Sequence, residues 1–263
     1  VCRDWHRPGI KNVATFRLVL EFNKEVQFDL MFYHSLIDQP EKMRVIVHLV
    51  DACIRWSTTG ECTSKEEEDL TTAISILWIG VWGAMETLVL DEESGMRGRH
   101  AVDWAEANTI GLKYKAPRQK AWMVERHNEL LRIGLHLTES QMIKEGLKVP
   151  FAQILAIVTF MKNALTVINN STPYQALLGR QPSLLPPLEG GYNGSVTDDK
   201  VRPETFSRSI SRTREISACN IIEATAKMRM QRADRHKTRT SIELRELQPG
   251  GLVDLWFEPT TKD

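Results

Sequence analysis

Three acidic residues, each in a different local setting, are the groups in this chain whose types and order point to chemistry. Asp29 lies in VQFDLMFY, Asp91 ends the run TLVLD before EESGM, and Glu125 lies in AWMVERHNELLR. The first two sit in or at the end of short apolar runs that read as strands, the third in a helical stretch. Carboxylates brought together from two strands and a helix form a site for divalent cations. Hard oxygen ligands select Mg²⁺ or Mn²⁺ over softer metals. Two such ions roughly 3.5–4 Å apart activate an attacking oxygen and stabilise a leaving one, which is phosphodiester chemistry. Taken singly, each acid has a plainer reading: an edge-strand Asp facing water, a turn Asp, an exposed helix Glu. An Asp between Phe28 and Leu30 in a central strand, however, is costly unless it is paired or metal-bound. The order of the three acids along the chain is what raises them above the plain readings.

The elements that must position these acids follow from the pattern. Residues 26–33 and 43–50 read as strands separated by the turn-rich SLIDQPEK, with a third strand close behind Asp51, so an antiparallel meander is expected. Ser64 is expected to cap a helix, with Glu67 three residues later as in a capping box, running to about residue 82. A short strand over 86–90 delivers Asp91. A helix over 96–107, a strand over 110–115, a helix from 119 to about 145 and a buried helix over 149–168 complete the core. The apolar positions of the helix bearing Glu125 are Trp122, Val124, Leu130, Leu131, Leu135 and Leu137. The fold class predicted is α/β, a mixed sheet flanked by helices.

The bulk properties bound the rest. With 263 residues the chain holds one sizeable domain plus smaller attachments. Lys+Arg and Asp+Glu both number 34, but the balance is segregated. Residues 21–110 hold 7 basic against 17 acidic residues, 111–185 hold 10 against 4, and 202–245 hold 11 against 5. Such segregation suits an acidic part that holds cations and basic parts that hold phosphates, the plain alternative for the last segment being solvated helix faces.

The four cysteines, Cys2, Cys53, Cys62 and Cys219, show no disulfide framework. Cys53 and Cys219 lie in apolar contexts that suggest buried free thiols and an intracellular, reducing compartment. The first residues lack a signal-peptide core. The apolar stretch 73–85 is too short for the roughly 20 residues of a membrane helix, and a core helix is the expected form. The chain starts without a methionine and reads as a piece of a longer one. Residues 181–203, rich in Pro, Gly, Ser and Asp, read as a linker. Residues 204–246 read as a basic helical arm, and 247–263 as the start of a small β domain.

With these motifs assembled, the chain resembles the catalytic core of retrotransposon and retroviral integrases, with the DDE constellation of the ribonuclease H-like superfamily. VQFDLMFY is similar to the first-strand Asp motif, LVDACIRWS to the strand after it, and TLVLDEESGM to the second Asp motif. GLKYKAPRQKAWMVERHNELLR is similar to the segment that ends in a helix bearing VER-x-N. INNSTPYQALLGRQPSLL matches the stretch after the core, and LQPGGLVDLWF the opening of an SH3-like domain. The resemblance covers about residues 20–257, and its most specific parts are VERHN and TPYQALLGRQP. PRQKAWMVE departs from the family, which often has a glycine before VE.

The resemblance implies that Asp29, Asp91 and Glu125 are the catalytic, metal-binding residues, using Mg²⁺ or Mn²⁺. It also implies a ribonuclease H-like core over 21–180, DNA partners in the element ends and the target, a homo-oligomer, a polyprotein origin and action in the nucleus. Residues 1–20 become a connector, the remnant of an N-terminal zinc module, although Cys2 alone makes no site. Lys113, Lys115, Arg118, Lys120 and Arg126, around the third acid, are the expected phosphate contacts. The reaction implied is 3′-end processing followed by DNA strand transfer. Two alternatives stay open: an inactive nucleic-acid-binding module of a decayed or domesticated element, and a ribonuclease H acting on hybrids.

Overall fold

The computed structural model describes residues 19–39, 41–91, 96–115, 122–168, 170–184 and 206–235. Five strands form one sheet: β1 (Glu25–Tyr33), β2 (Arg44–Asp51), β3 (Ser57–Cys62), β4 (Thr87–Leu90) and β5 (Gly111–Tyr114). Their order is β3-β2-β1-β4-β5. The first three make the expected antiparallel meander, and β4 and β5 add in parallel. The central place of β1 follows from its apolar content, since it must be covered on both faces.

Alternation along the strands divides the molecule. On one face Val26 and Phe28 of β1, Val47 and Leu49 of β2, and Leu88 and Leu90 of β4 are all fully buried. They pack on α1 (Glu67–Ile74), on the π-helical stretch Ser75–Ile79 that continues it, and on α3 (Arg99–Ala107). Fully burying a side chain such as Phe28 or Leu49 contributes about 1.5–3 kcal/mol. Trp78 is buried at the centre of this layer, its indole N–H donating to Asn23 Oδ1 at 2.7 Å. Asn23 adopts φ 65°, and its amide donates to the carbonyls of Trp82 and Ala84, closing the end of α2 (Gly80–Trp82) onto the entry to β1. Left-handed backbone of this kind is one that Asn tolerates better than most residues.

The expected capping box at Ser64 does not form. The helix begins at Glu67 after the N-cap Glu66, which makes no side-chain cap bond, while Ser64 Oγ accepts from Glu66 N–H outside the helix. Glu67 instead reaches to the start of α3, accepting from the N–H groups of Gly98 and Ala101. These are orphan donors at a helix N-terminus, where a carboxylate is favoured by charge as well as by hydrogen bonding. The stretch 73–85 is apolar all round yet covered on one side: Ile76 and Val81 are exposed while Ile74 and Trp78 are buried. Among the described residues, no helix is long and apolar enough to cross a membrane.

The other face of the sheet is covered by α4 (Trp122–Glu145) and α5 (Phe151–Leu165). α4 buries His127, Asn128, Leu131, Leu135, Thr138, Glu139 and Met142. These recur at spacings of three and four residues, one helical stripe. Leu137 lies off the stripe and is exposed, contrary to its expected place in the core. α5 meets the edge strand β3 through Asn163, whose amide both accepts from Ser57 N–H and donates to Ser57 O.

α6 (Pro173–Leu178), an element that hydrophobic pattern alone does not announce, opens on a capping box between Thr172 and Gln175. α7 spans Phe206–Arg235 within the expected basic arm. Among the residues of α7 up to Thr225, the compact unit that holds the sheet includes buried Thr213, Ile216, Ser217 and Ile221. Cys219 falls off that stripe and is exposed, which corrects its expected burial, while Cys53 and Cys62 are half-buried free thiols. The terminal segments 1–18 and 236–263, and most of the expected linker, lie outside the described residues.

Candidate metal-binding and nucleic-acid site

Asp29 sits mid-way along β1, half-buried, with its side chain on the α4 face. The β1–β4 ladder runs Glu25↔Thr87, Val26↔Leu88, Gln27↔Val89. Two residues further along each strand stand Asp29 and Asp91, so the continued register sets them opposite one another on the same face. Neighbouring strands are about 4.8 Å apart. The two Asp residues are thus brought together by topology, with Asp91 leaving β4 at its carboxyl end. Glu125 comes from the first turn of α4, the helix that covers this face, and is half-buried.

The electrostatics agree with that placement. Burial raises the Asp29 carboxyl from 3.8 to about 6, and the negative charges of Asp91 and Glu125 push the same way. Two hydrogen bonds oppose the rise: Leu30 N–H donates to Oδ1 at 2.8 Å, and Asn128 Nδ2 donates to Oδ2 at 2.6 Å. All three acids therefore share one electrostatic neighbourhood. Their chemistry, hard anionic oxygens that repel one another until a cation arrives, fits a divalent hard metal. Their present spacing is that of electrostatic neighbours, since among the described residues no group of three His, Cys, Asp or Glu stands close enough to hold a metal ion.

The expected phosphate contacts divide. Lys113 is exposed at the end of the sheet and pairs with Glu25 at 3.7 Å. Lys115, half-buried just past β5, lies in the field of Glu25, Asp91 and Glu125, which hold its ammonium charged against the depression caused by burial. It therefore belongs to the acid site itself. Arg126 is exposed on α4 beside Glu125. Arg118 and Lys120 lie outside the described residues.

Two residues at this site were not singled out from sequence. Asn128 follows Glu125 by three positions, so both occupy one face of α4, and it is the residue that touches Asp29. Its Oδ1 lies 2.5 Å from Nδ1 of His48, a fully buried residue of β2 that is the register partner of Asp29. Burial, and after it the charge of Lys162, lowers His48 to about 3, so the ring is neutral. The VER-x-N segment carried a signal for Asn128; nothing in a lone His within an apolar strand distinguished His48.

Beneath these residues lies a buried polar layer. Lys162 of α5 is fully buried and donates to Ser57 Oγ, and its ammonium is lowered to about 7 by loss of solvent. His127 is buried alongside, held well below its ordinary value by burial first and then by Lys162 and His48. Asp51, whose place in LVDACIRWS matched a family motif, serves a structural end: it accepts from the N–H groups of Asn23, Cys53 and Ile54 and shapes the β2–β3 turn.

No protein-family model and no curated protein matches the chain. Solved structures do. The HTLV-2 integrase catalytic core domain in complex with magnesium, in its dimeric form, aligns with a TM-score of 0.50 at 15% identity, covering 60% of this chain and 98% of that one. A chain of the simian T-cell lymphotropic virus intasome in complex with PP2A regulatory subunit B56 gamma aligns with a TM-score of 0.53 at 17% identity, covering 67% and 61%. The mixed five-stranded sheet flanked by helices is the ribonuclease H-like fold of retroviral integrase catalytic cores.

Proposed function

We propose that this chain is the integrase of a retrotransposon-type element, a polynucleotidyl transferase that processes 3′ ends of element DNA and joins them to target DNA. The observation that supports the reading is that Asp29 feels the charges of both Asp91 and Glu125, with the β1–β4 register, continued two residues past Gln27↔Val89, bringing the two Asp residues to one face. Mg²⁺ or Mn²⁺ bound there would activate the attacking oxygen and stabilise the leaving one. The chain's own residues prepare for this in three ways. Asp29, Asp91 and Glu125 would hold the ions, and a cation relieves the repulsion now felt by Asp29. Leu30 N–H and Asn128 hold the Asp29 carboxylate in one orientation, so no reorganisation is needed when the reaction begins. Lys113 and Arg126, exposed at the margin, supply charge for the phosphate backbone, a contact weakened by salt and indifferent to sequence.

DNA ends and target are the partners that this reading requires, a homo-oligomer the form, a polyprotein the origin and the nucleus the place. A second reading, an inactive DNA-binding module of a decayed or domesticated element, needs only exposed basic residues such as Lys113 and Arg126 and no ligating acids. A strand-transfer assay in Mg²⁺ with oligonucleotide donor and target separates the two. Activity in the wild type that is lost on Asp91→Asn supports the integrase; no activity in the wild type, with salt-dependent DNA binding retained, supports the module.

A further inference from the structure

His48 stands opposite Asp29 in the β1–β2 register and faces the same side of the sheet, yet it makes no hydrogen bond to the carboxylate. Between them is Asn128, which bonds to both: Nδ2 to Asp29 at 2.6 Å and Oδ1 to His48 Nδ1 at 2.5 Å. An amide oxygen only accepts, so His48 must carry its proton on Nδ1. Its Nε2 is buried with no hydrogen-bond partner. An unsatisfied buried nitrogen costs about 1–3 kcal/mol, and the opposite tautomer would leave the Asn128 oxygen without its donor. The arrangement thus gives up one buried contact to keep Nδ1–H on Asn128.

We propose that His48 is a positioning residue for Asp29, fixing through Nδ1–H the direction in which the Asn128 amide faces. The terminal torsion of Asn is soft, and a carboxylate that shares its electron density with a cation holds an N–H donor less firmly. The second anchor, on the far side of the amide, keeps the NH₂ group on Asp29 whether or not the carboxylate is engaged. Outer partners of this kind commonly change metal affinity by about 10–100-fold. The inference rests on Asp29 being a metal ligand, as in the proposed function.

The test begins with the wild-type full chain. Its His48 ring should show, by ¹⁵N NMR, a protonated Nδ1 and an unprotonated Nε2; the reverse tautomer overturns the proposal. Mn²⁺ affinity, measured by paramagnetic relaxation without DNA, should then fall about 10-fold in His48→Leu. It should recover in His48→Gln, whose amide restores a donor. In strand transfer, His48→Leu should need about 10-fold more Mg²⁺ for half-maximal rate while the rate at saturating Mg²⁺ stays near wild type, a split that simple loss of folded protein does not produce. Equal Mn²⁺ affinity in wild type and His48→Leu overturns the positioning role. If His48→Leu does not fold, the tautomer measurement and His48→Gln decide. A wild type without strand transfer, but with the tautomer and the affinity difference intact, defeats the integrase reading and leaves His48 in its role.

Discussion

Replacing Asp29 by Asn should stabilise the metal-free protein, although it removes the central acid of the site. The Asp29 carboxyl is held at about 6 against 3.8 for an ordinary aspartate. The folded state therefore binds this proton more tightly than the unfolded chain. The stability that this contributes is fully present below pH 3.8 and is lost as pH rises through 6. The loss amounts to about 3 kcal/mol at pH 7.5 and about half that at pH 5. An amide carries no charge and escapes the loss.

The substitution also removes something. Asp29 accepts from two donors, Leu30 N–H and Asn128 Nδ2, while an Asn has a single oxygen and must leave one of them unanswered, at about 1 kcal/mol. The net gain for Asp29→Asn is then about 2 kcal/mol at pH 7.5 and under about 1 kcal/mol at pH 5. Urea unfolding in EDTA at the two pH values reads it directly, the midpoint moving with little change in slope. Added Mg²⁺ should stabilise the wild type and leave the variant unmoved. A variant no more stable than wild type at pH 7.5 in EDTA would refute the claim that Asp29 is held against burial and the field of its neighbours.

Three further outcomes follow from the same structure. Strand transfer should fall as pH drops below about 6, where Asp29 takes up a proton, and the midpoint should move to lower pH as Mg²⁺ is raised, because metal and proton compete for one carboxylate; a midpoint indifferent to Mg²⁺ counts against Asp29 as a ligand. Lys162→Met should flatten the pH dependence of stability by about 1.4 kcal/mol per pH unit between pH 7.5 and 10, because the wild-type lysine, lowered to about 7, gains stability as pH rises through that window; chemical denaturation across the range measures it. Gly98→Ala should destabilise by about 0.5–2 kcal/mol in urea, since the new methyl would push aside the Glu67 carboxylate and α3 would lose that cap.

The strands and their meander were legible because β1 and β2 carry short apolar runs bounded by turn residues, and both strands are buried on the two faces of the sheet. Asp29 and Asp91 were legible as strand acids, and parallel register alone then brings them together, a property of topology that no local window contains. The helix start was missed because Ser64 and Glu67 satisfy a local rule while Glu67 has a better use thirty-one residues away, at Gly98. Leu137 was misplaced for a different reason. The buried stripe of α4 includes Asn128, Thr138 and Glu139, polar residues whose partners lie on other elements, and His127, whose Nδ1 has none, so a search for apolar period finds a stripe rotated from the real one. Glu139 illustrates the cause: its carboxylate is buried because Tyr33 O–H, Ser35 Oγ and Leu36 N–H all donate to it at the end of β1.

That polar stripe gives the two faces of the sheet different work. The face toward α1 and α3 is an apolar contact with Trp78 at its centre, and it could be repacked with other apolar residues of similar volume. The face toward α4 and α5 joins strand to helix through directed bonds, Asp29 to Asn128, Asn128 to His48, Ser57 to Asn163, Thr59 to Thr159. Directed bonds fix the angle and register of α4, and α4 carries Glu125 toward the acids of β1 and β4. An apolar stripe in the same place would bury as much surface but let the helix slide by fractions of an ångström, and the cation sharing proposed for these carboxylates tolerates little of that. The face that gives up easy packing is the one on which the charges of Asp91 and Glu125 act on Asp29.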